Sequence, residues 1–104
     1  MLVELRRYEI EPGRRDEFVA FFDNEVLPEM QKVGMRILGQ FVSADDANAF
    51  YYLRSFEDEE QRALQTTTFY ESPVWLEGLK DRALEMETDW SVEVVTPTPG
   101  SAIG

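Results

Sequence analysis

The sequence predicts an α+β fold of the ferredoxin-like βαββαβ type, and three observations carry that prediction. Four runs are rich in strand-forming residues, while two other regions repeat their apolar residues every three or four positions. Turn and cap signals separate these runs, at Pro12-Gly13, at Ala44 to Ala47 and at Ser72-Pro73. The order strand, helix, strand, strand, helix, strand is that of the split βαβ unit, whose four strands make one antiparallel sheet with both helical regions on one face.

Leu2 to Ile10 alternates in character and stops at the Pro12-Gly13 turn, which makes it the first strand. From Arg14 to Val33 the apolar residues Phe18, Phe22, Val26, Met30 and Val33 share one helical face. Asp16 and Glu17 complement the N-terminal dipole of this helix, and Lys32 with Gly34 marks its end. Pro28 inside the run predicts a kink or local break near Asn24 to Leu27. Met35 to Ser43 and Asn48 to Phe56 form a hairpin across Ala44-Asp45-Asp46-Ala47. A weaker helix spans Asp58 to Thr68, because three consecutive threonines are poor helix residues. Ser72 as cap and Pro73 at the first helical position start another helical piece through Met86. Trp90 to Val95 is the last strand, and the Pro- and Gly-rich end is expected to be a mobile tail. Residues 1–96 are thus expected to form a single domain and 97–104 the tail.

Composition narrows the chemistry before any site is chosen. The 104 residues contain no histidine and no cysteine, which removes thiol nucleophiles, imidazole bases and the usual His or Cys metal ligands. Any chemistry must come from carboxylates, arginines, lysines, hydroxyls, aromatics or backbone dipoles. The net charge of −11 argues against a nucleic-acid partner, which needs clustered cations. The acidic runs at Glu57 to Glu60 and Glu85 to Asp89 lack calcium-loop spacing; no metal and no cofactor are expected. No run approaches the roughly 18 consecutive apolar residues of a membrane-spanning helix, and Met1 leads directly into Leu2 and Val3, so a cytoplasmic protein with no membrane partner is expected.

The middle strands are apolar on both sides. Ile37 and Phe41 are expected opposite Leu38 and Val42, and Phe50, Tyr52 and Phe56 opposite Tyr51 and Leu53. Two helical regions cover one face only, so the other is expected to pair with its twin in a two-fold homodimer through the sheet faces, a barrel-like core with helices outside.

Candidate site residues follow from charge placed where apolar residues are the norm. Glu25 and Glu29 fall among Phe18, Phe22, Val26 and Val33 on the first helix. They either line a cavity as a general acid or base, or turn outward where Pro28 breaks the register. Arg6 and Arg54 sit within strands that are adjacent in this topology, where they grip a carboxylate or enolate ligand or pair with a structural carboxylate such as Glu4, Glu25 or Glu93. Tyr8 and Tyr52 share their strand parity, so the four cluster on one side of the sheet. With Trp75 they supply walls suited to a small aromatic or acyl/carboxylate ligand.

Several of these segments together resemble the NIPSNAP family. Glu4-Leu5-Arg6-Arg7-Tyr8, then Glu11-Pro12-Gly13-Arg14 and Glu17-Phe18, is similar to the family's opening Leu-Arg-x-Tyr before a Pro-Gly turn. Gly39, Tyr52-Leu53-Arg54-Ser55-Phe56 with Asp58 and Arg62, and Ser72-Pro73 with Trp75 extend the likeness to about residues 3–95. The resemblance implies a dimeric α/β barrel related in fold to small monooxygenases and stress-response barrel proteins, and settles fold better than function. Two function classes remain open. One is a pocket protein with cofactor-independent oxygenase, isomerase or decarboxylase chemistry, an arginine steadying an enolate-like anion while a carboxylate moves the proton. The other is a non-catalytic dimeric module for interaction or metabolite sensing.

Overall fold

The computed structural model describes residues 1–103; Gly104, the last residue of the expected tail, lies outside the described residues. The chain runs β1 (Leu2–Ile10), α1 (Arg15–Phe21), a π-helical turn (Phe22–Val26), α2 (Leu27–Lys32), β2 (Arg36–Val42) and β3 (Ala49–Phe56). It continues through α3 (Glu59–Tyr70), a second π-helical turn (Val74–Leu79), α4 (Lys80–Met86) and β4 (Glu87–Val95). The strands form one antiparallel sheet in the order β2-β3-β1-β4, the ferredoxin-like arrangement.

The core lies between one face of this sheet and the helices. Tyr8 and Ile10 of β1 and Phe50, Tyr52 and Phe56 of β3 pack against Phe18, Phe22, Val26 and Met30 from the first helical region. Phe69, Leu79, Ala83 and Met86 close the other half. Period-two alternation sends Leu5, Tyr51 and Leu53 to the opposite face, where Leu5 is 39% and Phe41 52% exposed.

Pro28 explains the first π-turn. It has no N–H to offer the Asn24 carbonyl, and the preceding turn widens so that the Leu27 N–H donates to the Phe22 carbonyl five residues back. The extra residue keeps Phe22 and Val26 buried and leaves Asp23, Asn24 and Glu25 exposed. The expected break near Asn24 to Leu27 therefore takes the form of a local widening, and the rod continues to Lys32.

Two β-bulges set which side chains face the helices. In β2, Ile37 pairs with Arg54 and Gly39 with Leu53, leaving Leu38 as the extra residue. The expectation that Ile37 and Phe41 share a face is thereby corrected: Ile37 follows Arg54 toward the helices, and Phe41, paired with Tyr51, points to the open face. Gln40 turns inward and donates to Asp23 at 2.9 Å. In β4, Ile10 pairs with Glu87 and Glu9 with Asp89, so Thr88 is the extra residue. This pairing starts the strand at Glu87, three residues before the expected Trp90. No helix among the described residues is long and apolar enough to cross a membrane.

Candidate functional site

Between the inner face of the sheet and the helices α3 and α4 lies a cavity of about 490 Å³. Its floor is laid by alternate residues of β1. Glu4, Arg6 and Tyr8 stand on the same face by period two, and the register sets Glu4 beside Arg54 and Arg6 beside Tyr52 on β3.

Glu4 is the hub. Its carboxylate is 1% exposed and meets three guanidinium groups: Oε1 accepts from Arg6 Nη1 at 2.7 Å and from Arg54 Nε, and Oε2 accepts from Arg62 Nε at 2.6 Å. Burial alone would raise its pKa; the charge of Arg54 and hydrogen bonds from Arg62 and Arg6 outweigh burial and hold it at about 2. Arg62 is shared with Glu59 at 3.0 Å. Even with Arg62 assigned to Glu59, Arg6 and Arg54 divide one carboxylate between them. One positive charge at the cavity wall is left without a counter-ion.

Tyrosines hold the two arginines in place. Arg6 Nε donates to the Tyr8 hydroxyl at 2.9 Å, and Arg54 Nη1 donates to the Tyr70 hydroxyl at 3.1 Å. The Arg6 guanidinium also lies 5.6 Å from the centre of the Trp90 ring, within cation–π range. Tyr8 and Tyr52 stack with centroids 5.7 Å apart, and burial, the dominant influence, raises both phenol pKa values. Trp75 forms a side wall, its ring edge-on to Tyr70 at 5.2 Å.

Of the residues singled out in the sequence, Arg6, Tyr8, Arg54 and Trp75 line this cavity. Tyr52 is buried beneath it, beside a small void of about 30 Å³ that Tyr8 and Trp75 also border. Glu25 and Glu29 are not brought there, which corrects their assignment to the site. Glu25 pairs with Arg82 through two hydrogen bonds of 2.7 and 2.6 Å on the outer surface, and Glu29 meets Lys32 at 2.8 Å. For Glu25 the π-turn is the cause, because it turns the segment before Pro28 away from the sheet.

Glu87 supplies the carboxylate that the helix does not. It lines the cavity and has neither a hydrogen bond nor an ion pair among the described residues. Burial pushes its carboxyl pKa up to about 7, with Arg6 pulling weakly the other way. Arg62, Thr66, Tyr70, Leu84, Trp90 and Val92 also line the cavity and are absent from the set read from the sequence. The parity of Glu4 with Arg6 and Tyr8 was a usable signal for the hub. No such signal existed for Glu87, since alternation counted back from Trp90 puts it on the wrong face. Among the described residues no group of three or more acidic side chains is placed to hold a metal ion.

Comparisons with known proteins agree with this architecture. A NIPSNAP domain protein from Burkholderia xenovorans superposes with a TM-score of 0.88 at 22% identity, covering 97% of this chain and 98% of that one. A NIPSNAP family protein of unknown function from Agrobacterium tumefaciens gives 0.91 at 18% identity, covering 100% and 94%. A putative antibiotic biosynthesis monooxygenase from Bacteroides thetaiotaomicron gives 0.71 at 24% identity, covering 96% and 92%, a likeness of fold alone. No curated protein matches the sequence. The NIPSNAP family model matches residues 3–102, and the chain belongs to the NIPSNAP family.

Proposed function

We propose that this protein binds a small organic anion, an aryl or acyl carboxylate, in the cavity between sheet and helices. The observation that carries this is the under-neutralised Arg6–Arg54 pair set in an aromatic wall. In a chain of net charge −11, a fixed positive pole facing a half-open cavity favours an anion through forked, charge-assisted hydrogen bonds. Trp75 and Trp90 flank the same space and offer ring faces to an apolar tail.

The test uses the fact that the chain has two tryptophans and both line the cavity. Phenylacetate should change tryptophan emission saturably, and phenethylamine, with the same ring and the opposite charge, should not. Arg6→Ala should abolish the phenylacetate response while the protein still melts cooperatively. Equal responses to acid and amine would sink the assignment.

The working unit in this proposal is a homodimer joined through the open sheet face. Leu5 and Phe41, 39% and 52% exposed, with Tyr51 and Leu53 between them, form the apolar patch that a second copy would bury. Sedimentation at micromolar concentration should give twice the chain mass, and Phe41→Asp should return it to one chain.

A further inference from the structure

The β4 bulge places a carboxylate in the cavity that no ion pair neutralises. If Thr88 were paired in a regular ladder, Glu87 would fall on the open face; because Thr88 bulges out of the ladder, Glu87 pairs with Ile10 and faces the same way as Tyr8. Bulges of this kind re-aim side chains beside functional sites. Four residues of β1 separate the level of Ile10 from that of Arg6, about 13 Å along a strand. The two side chains, Glu87 and Arg6, form no ion pair, and both line the cavity.

We propose that Glu87 is the proton-transfer group of this cavity, acting on the carbon beside the carbonyl of an enolisable carboxylate, such as an aryl 2-oxo acid, held by Arg6. This rests on the anion-binding function proposed above and names the substrate class and the residue that acts on it. An enolisation needs one base and one positive group for the developing oxyanion. The lining supplies one unpaired carboxylate and one guanidinium with charge to spare.

The step balances without an added reactant. The Glu87 carboxylate takes the proton as the C–H bond breaks, and the freed electron pair forms the enolate double bond. The negative charge moves to the carbonyl oxygen, where Arg6 holds it. Glu87 then returns the proton to a carbon of the enolate or to its oxygen, and the net change is an isomerisation. The groups around Glu87 are set for this task. The charged and titratable groups that share its cavity are Glu4, Arg6 and Tyr8 of β1, Arg54 of β3, and Arg62 and Tyr70 of α3. The tyrosine Tyr8 stays protonated because burial raises its pKa, and Glu87, held at about 7, is poised to take up and release a proton near neutrality.

Phenylpyruvate is a suitable probe, since its methylene protons lie between a ketone and a ring. The full chain in deuterium oxide should accelerate loss of the methylene proton signal over buffer. The rate should rise with pH and level off above the Glu87 pKa. Glu87→Gln should cut the exchange rate by roughly 100-fold or more and remove the pH inflection. It should leave the midpoint of the tryptophan-emission titration with phenylpyruvate within about threefold, and Glu87→Asp should restore part of the rate. Equal exchange by wild type and Glu87→Gln overturns the inference, as does an emission response from wild type without any acceleration. No emission response to phenylpyruvate overturns the anion-binding function, and this inference with it.

Discussion

Glu4 and Glu87 face the same cavity from neighbouring strands, and their surroundings make them opposite kinds of residue. Glu4 is sealed under three arginines and ionised down to a pKa of about 2. Glu87 has no cation in contact and a pKa raised to about 7. A carboxylate that is permanently charged and fully hydrogen-bonded is a structural anchor and a poor proton carrier. One that is half-buried and unpaired is costly to the fold and able to exchange a proton. The difference teaches that the cavity separates holding from reacting: Glu4 orients the guanidinium groups, and Glu87 is left free.

The largest expected effect breaks the anchor. Glu4→Gln should cost about 3–5 kcal/mol, because it strands the buried cations Arg6 and Arg54, and urea unfolding would show it as a lowered midpoint. A loss under about 1 kcal/mol would mean that the arginines are satisfied without it.

Acid titration should separate the two residues next. The Glu4 pKa lies below its ordinary value of 4.5 in the folded state, so its contribution is complete above about pH 4.5 and is lost as pH falls toward 2. The Glu87 pKa lies above 4.5, at about 7. The unfolded state then releases its proton first, and stability declines as pH rises from about 4.5 to 7, then levels. Melting temperature against pH should therefore fall on both sides of a maximum in the wild type.

Glu87→Gln should remove the alkaline-side decline. The variant should melt a few degrees above wild type at pH 8 and match it near pH 4.5, a gain in stability that accompanies the loss of a reactive group. Identical profiles would show that Glu87 carries no burial penalty. The smallest effect is expected outside the cavity: Glu25→Gln should shift the melting temperature by less than about 2 °C and leave the phenylacetate response unchanged, since its partner Arg82 is also on the surface.

Much of this architecture is legible in the chain, and the illegible parts share one cause. Period two places Arg6, Tyr8, Tyr52 and Arg54 on one side, and the strand order follows from the sequence of elements. Period 3.6 also marks the first helical region well enough to find its buried face. Glu25 misleads because a regular helix count runs through Pro28, whereas the backbone widens there. Ile37 and Phe41 mislead because Leu38 adds one residue to β2, and Glu87 is invisible because Thr88 adds one to β4. Residue type does not announce an inserted residue of this kind. It becomes visible only when the partner strand fixes the register.

Thr88 carries a lesson about inheritance. It is bound only lightly, its hydroxyl donating to the Glu9 carbonyl at 3.3 Å, yet its standing outside the ladder is what turns the side chain before it to the cavity. Between relatives as distant as 18–22% identity, a gap drawn one position away would match Glu87 to a residue of the other face. Ancestry at this strand is better traced by counting residues between the end of α4 and Trp90 than by matching letters. A single-codon deletion of Thr88 would straighten the strand and still leave Glu87 on the cavity face, two residues before Trp90.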